Sequence, residues 1–317
     1  MNKSSTTPDG ARKYRHSLSA IATLAVAVAT TCSADEIRPY TSSKVLDEPV
    51  IFGEGFVSTE LPEFATTFSP DGTEVFFNRM SADRSRIEML VSRFADGSWT
   101  DAEALPFSGT YRDVDPFVSS DGSRLYFSSN RPDSDGQEAG DWNTWYVERD
   151  GSGWGEPVRL GSEVNTEAAE IFVSLTDSDT LVFRRSNDDA RDIYTAERQS
   201  EGFASPQPVL GLDLEDPGNP LIARDGSFLI VASSVEGRSA DLFISFRQGN
   251  QWTPARNLGE SVNSVYADFA PGLSPDGKYL FFTSERPGLV AETVEGRRPG
   301  DVYQVELRAL REITWPD

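Results

Sequence analysis

The chain has 317 residues, is 38% hydrophobic and carries 51 Asp and Glu against 29 Lys and Arg, for a net charge of −22. That length and apolar content suffice for one or two domains with a sizeable core. A surface this acidic repels phosphate backbones, which argues against a nucleic-acid partner.

Residues 1–34 differ from the rest. Lys3, Arg12, Lys13 and Arg15 precede the apolar run "LSAIATLAVAVAT" (18–30), which ends in the small residues around Ala34. This order predicts a secretory signal peptide, and the run falls short of the roughly 20 residues a membrane span needs. Processing at Cys32 for a lipid anchor is a second option, but "ATTC" departs from the usual Leu-Ala-Gly-Cys pattern. Removal of the segment takes away Cys32 and His16, the only Cys and His of the chain, and shifts the net charge to −25. A mature chain so processed lacks thiol nucleophiles, imidazole bases, His or Cys zinc sites and Ser-His-Asp triads. It is expected to be periplasmic or secreted and not membrane-spanning. Its only lysines are Lys44 and Lys278, so nearly all its positive charge is arginine.

Residues 35–46 read as an exposed linker, and 47–317 as a single β domain made of repeats. "FSPDGTEVFF", "VSSDGSRLYF" and "LSPDGKYLFF" place an Asp-Gly at Asp71, Asp121 and Asp276, with a fourth at Asp225. The gaps are 50, 104 and 51 residues, and the double gap holds a degenerate copy, "VSLTDSDTLVF" (173–183). Five copies at this period, with no helical periodicity, predict propeller blades of four short strands. Asp-Gly supplies the turn between the first two strands. The second strand is "EVFFNR" and its equivalents, the third "EMLVSR" and its equivalents, and the fourth opens on Trp99, Trp154, Phe203 or Trp252. The blades run roughly 63–112, 113–166, 167–216, 217–267 and 268–308. The last lacks its outer strand. "EPVIFGEGFVSTE" (48–60) matches "EPVRLGSEVNTE" (156–167), so the N-terminal strand is expected to complete it and remove a free edge. The fold class is therefore all-β, a five-bladed propeller of four-stranded antiparallel blades closed by that strand.

These repeats resemble the PD40 (WD40-like, TolB-type) propeller repeats of bacterial exported proteins, over residues 48–308. The resemblance implies the propeller fold and leaves function open, because propellers host many activities.

In such a fold the innermost strands line a channel. Eight and six residues before each turn Asp stand Glu63 and Ala65, Asp113 and Asp115, Ala168 and Glu170, Pro217 and Asn219, and Asp268 and Ala270. Arg79, Arg131, Arg185 and Arg286, at the ends of the second strands, are expected on the same face. Loops 132–143, which includes Trp142, and 287–301 interrupt the repeat there, and insertions gathered on one face suggest a binding face. Trp145, on a third strand, reads as core. Two uses of this acidic face follow. One is recognition of a glycan or an envelope protein, through Glu63, Asn219, the four arginines and the exposed ring of Trp142. The other is glycoside hydrolysis, which needs a pair of carboxyl groups and no His or Cys. Asp113 or Asp115 would then be the base and Glu170 the proton donor, with Asp268 or Glu63 tuning them. The architecture, though no local motif, resembles that of five-bladed glycosidases. Asp113, Asp115 and Glu170 also form a hard-oxygen set for calcium, the one cofactor the residues suggest. The acidic turn "DSDG" (133–136) is a weaker candidate for the same ion.

Overall fold

A computed structural model describes residues 38–132, 140–187, 191–235, 238–289 and 300–310, with Ile313 and Trp315. The proposed signal peptide, the "DSDG" turn and most of the second interrupting loop lie outside them.

Five antiparallel sheets follow one another along the chain. Blade one comprises Glu63–Phe68, Glu74–Met80 and Ile87–Ala95, with the outer pieces Ser98–Trp99 and Glu103–Ala104. Blade two comprises Asp113–Val118, Arg124–Ser129, Asn143–Asp150, Gly153–Trp154 and Val158–Arg159. Blade three has Ala169–Leu175, Leu181–Ser186, Arg191–Ala196 and Gln207–Pro208. Blade four has Gly218–Ile222, Phe228–Val235, Arg238–Gln248, Gln251–Trp252 and Arg256–Asn257. Blade five has Asp268–Leu273, Tyr279–Ser284 and Asp301–Glu306, and its fourth strand is Val50–Ile51 from near the N-terminus. There Val50 pairs with Gln304 and Ile51 with Tyr303. Among the described residues the only helical element is a 3-10 turn, Leu307–Ala309, and no helix is long and apolar enough to cross a membrane.

The second strands are apolar on both faces, and the reason is sheet stacking. Val75 and Phe77 pack into one core cluster and Phe76, between them, into another. Leu125 and Phe127 likewise face one core while Tyr126 faces the next. Side chains alternate across a strand, so each sheet buries one set of residues against the blade before it and one against the blade after. The outer strands are reduced to two-residue pieces, which keeps the exposed edges short.

The repeated Asp is a turn residue. Asp71 Oδ1 accepts from Ser69 Oγ (2.6 Å) and from Thr73 N–H (3.0 Å), and Asp121 and Asp276 repeat the pattern. The following glycines, Gly72, Gly122, Gly226 and Gly277, have φ between 67° and 74°, a left-handed conformation that suits glycine. Blade three makes the same turn without glycine. Thr176 takes the place of Ser69, pairing its hydroxyl with Ser178 Oγ (2.9 Å), and Asp179 adopts φ 59°.

That turn corrects the register expected for blade three. Counting back from Ser178, the two channel positions are Glu170 and Phe172, not Ala168 and Glu170. Backbone geometry agrees: each inner strand carries one left-handed residue at a β-bulge, and these are Ala65, Asp115, Phe172, Asn219 and Ala270. Such bulges turn a side chain out of the regular alternation. Ala65, Phe172 and Ala270 gather into a small apolar cluster with Phe64 and Phe269 packed against it.

Candidate functional site: a broken pattern at blade four

With Glu170 in register, four blades share one arrangement. Glu63, Asp113, Glu170 and Asp268 are fully buried, each bound by an arginine in or just after its own second strand. The contacts are Arg79 Nε to Glu63 Oε1 (2.6 Å), Arg131 Nη2 to Asp113 Oδ1 (2.6 Å), Arg185 Nε to Glu170 Oε1 (2.8 Å) and Arg286 Nη2 to Asp268 Oδ1 (2.8 Å). A hydroxyl completes each one: Thr59, Ser129, Thr166 and Ser264 donate at 2.6 to 2.8 Å. Every arginine also donates to a backbone carbonyl of the preceding connection, Val57, Phe107, Val164 or Val262. Each guanidinium lies 5.2 to 5.5 Å from the ring centre of a strand-two phenylalanine, Phe77, Phe127, Phe183 or Phe282. Burial pushes the carboxyls of Glu63 and Asp113 upward, opposed by Thr59 and Arg79 in the first case and by Arg131 and Ser129 in the second.

Carboxylates so engaged hold each blade to the connection that enters it. Glu170, expected as proton donor, has both oxygens engaged by Arg185 and Thr166. Asp113, expected as base, gives Oδ1 to Arg131 and Ser129, while its buried Oδ2 has no hydrogen-bond partner among the described residues. Arg79, Arg131, Arg185 and Arg286 reach the carboxylate face as expected, and use that reach on these pairs. Among the described residues no group of three or more His, Cys, Asp or Glu is disposed to hold a metal ion. Asp113, Asp115 and Glu170 therefore do not form the expected calcium set. Trp145 is buried in the core, while Trp142 is half-buried and its carbonyl accepts from Glu170 N–H (2.9 Å).

Blade four lacks the carboxylate, the arginine and the phenylalanine, and keeps only the serine that blades two and five have as Ser129 and Ser284. Pro217 stands in the carboxylate's place, Ser233 opposite it, and Val231 where the other blades have phenylalanine. Ser233 Oγ donates instead to Glu215 O at 2.5 Å. The space left is a polar cavity of about 330 Å³ lined by Arg184, Asp216, Asn219, Ser233, Ser234 and Glu285 among others, with Phe269 at its apolar side. Asn219 was expected on this face and is there. Its neighbours in the cavity were not foreseen.

Arg184 is the residue that sequence reasoning missed. It occupies the seat held by a short acceptor in blades one, two and five, and by Ala232 in blade four. Asn78 Oδ1 accepts from Asp115 N–H (2.9 Å), Ser128 Oγ from Phe172 N–H (3.0 Å) and Thr283 Oγ1 from Ala65 N–H (3.3 Å), each tying a blade to the inner strand of the next. A guanidinium has no acceptor, so Arg184 cannot make that tie. Its Nη1 approaches Gly218, where an added Cβ would lie at 3.4 Å. The pair "RR" at 184–185, one residue before and one within the arginine series, was the available signal.

Asp115 differs from its carboxylate neighbours. It sits at the bulge with φ 57°, nearly buried, beside Phe172 and Arg224 around a void of about 30 Å³. Burial pushes its carboxyl up to about 7, with the charge of Arg184 pulling the other way.

No family model matches the chain, and no curated protein does. Solved structures do. An α-L-arabinofuranosidase from Lactobacillus brevis is 11% identical over 88% of this chain and 94% of its own, with a TM-score of 0.53. A TolB candidate from Agrobacterium tumefaciens is 18% identical over 78% of both chains, at a TM-score of 0.48. TolB from Acinetobacter baumannii is 12% identical over 77% of this chain at 0.48, and this chain spans only 54% of its length. At such identities the likeness to the arabinofuranosidase speaks for the fold alone.

Proposed function

We propose that the protein is an exported propeller that recognises a glycan on its channel face, through the cavity at blade four. The observation that carries this is the break in the pattern. Four blades fill the same place with a buried ion pair, while the fifth leaves a polar hollow in the size range of small ligand sites. Its lining alternates donors and acceptors beside the ring of Phe269, which suits a unit bearing many hydroxyls and one apolar face. Export, to the periplasm or beyond, is supported by the composition of residues 1–34.

Recognition is favoured over hydrolysis because Glu63, Asp113, Glu170 and Asp268 are each held by an arginine, which leaves Asp115 without the second free carboxyl group that hydrolysis needs. A general acid and base must be free to exchange protons with substrate. The test uses residues 35–317 on a panel of plant, algal and bacterial polysaccharides, read for binding and for new reducing ends. Binding without cleavage is expected. It should weaken in Asn219→Gly, which removes the amide while suiting a backbone at φ 47°. New reducing ends that disappear in Glu170→Gln would replace recognition with hydrolysis. Binding of an envelope protein with no glycan bound would replace it with a protein partner.

A further inference from the structure

The cavity at blade four also has a charge that its walls do not satisfy. Arg184 is half-buried, and among the described residues its Nε, shielded from water, has no hydrogen-bond partner. Among those residues the only bond its guanidinium makes is from Nη2 to Ser186 Oγ, at a long 3.3 Å. The carboxylates nearby are spoken for. Asp216 accepts two bonds from Arg191 Nη1, at 2.7 and 3.0 Å, and Glu285 has a partner of its own. Asp115 acts on Arg184 through space, without a contact within ion-pair distance. Desolvation pulls the Arg184 pKa down and the charge of Arg191 adds to this, while Asp216 and Asp115 oppose it.

Given the glycan reading above, on which this rests, we propose that Arg184 makes the cavity selective for a sugar that bears a carboxylate, a uronic-acid unit. A desolvated guanidinium with no carboxylate in contact among the described residues is unfavourable in the empty state. A ligand carboxylate supplies two acceptors matched to the guanidinium fork, and bonds of that kind are shorter and stronger than neutral ones. A neutral sugar offers only hydroxyls to the same donors. Ser233, Ser234 and Asn219 would then hold ring hydroxyls, with the sugar's apolar face toward Phe269. The carboxylate, not the sugar configuration, is what the geometry specifies.

The test measures binding of glucuronate and galacturonate, of their methyl esters, and of glucose and galactose, by ligand-observed NMR and calorimetry on residues 35–317. At least one uronate should bind about tenfold more tightly than its ester, as expected for loss of a charge-assisted bond. Arg184→Gln should remove that preference without lowering the melting temperature, because the arginine ties no strand to its neighbour and its desolvated charge is unfavourable in the empty site. Arg184→Lys, which keeps the charge without the fork, should fall between the two. Equal binding of uronate, ester and neutral sugar, unaffected by Arg184→Gln, would overturn the carboxylate inference and leave glycan recognition standing. Failure of all six sugars, together with an empty polysaccharide panel, would overturn both.

Discussion

Arg185 Nε lies 2.8 Å from Glu170 Oε1, and that carboxylate is wholly removed from water. Breaking such a pair from one side costs far more than removing it whole, because the stranded charge has no partner and no solvent. Arg185→Met should therefore destabilise the propeller by about 3 to 5 kcal/mol. The double variant Arg185→Met/Glu170→Gln should recover a large part of that loss. Urea denaturation of the wild type and the variants completes the cycle. Equal losses in single and double variants would mean that the two side chains are not coupled.

Asp115 should give the protein a pH-dependent stability of its own. An unfolded Asp titrates near 3.9, whereas burial holds the folded carboxyl up at about 7, against the pull of Arg184. Between those two values the folded chain keeps a proton that the unfolded chain has lost. Its contribution is thus fully present below the lower value and disappears as pH rises through the upper one. Relative to Asp115→Asn, the wild type should lose up to about 1.4 kcal/mol per pH unit across that window and level off above it. Denaturation at pH 5 and pH 8 checks this. A pH-independent difference between the two proteins would place the Asp115 titration elsewhere.

The turn glycines should not be equivalent. Gly72 and Gly277 have φ 74° and 67°, so alanine is strained at both, at about 1 to 2 kcal/mol. At Gly277 a Cβ would meet open space, but at Gly72 it would lie 2.3 Å from Tyr40 Cε1, on a ring that is 1% exposed. Gly72→Ala should therefore cost clearly more than Gly277→Ala, with Tyr40 displaced. Thermal melts of the two variants decide it. Equal losses would mean that Tyr40 can leave its seat freely.

Much of the fold was readable because its causes are local. Asp-Gly turns near every fiftieth residue and apolar runs of strand length identify blades, and the match of 48–60 to 156–167 pointed to the segment that pairs with Asp301–Glu306. The slip of two residues in blade three came from the same dependence. With no glycine at 179 to mark the left-handed position, the count started from Thr176. Counted that way, Glu170 falls out of register with Glu63, Asp113 and Asp268. In the folded chain those four are alike. The asymmetry is at blade four, where sequence reasoning recorded only Asn219 because it looked for carboxylates present, not for a partner set absent.

By itself the sequence determined the class of fold, the turn chemistry and the residue types that could act on the channel face. Periodicity and turn preference depend only on neighbours along the chain. Which carboxylates are free was decided by the tertiary structure alone. Pairing Glu170 with Arg185, or leaving Arg184 beside a hollow, depends on cross-strand register and on what the adjoining blade presents, and those relations exist only once the sheets are stacked.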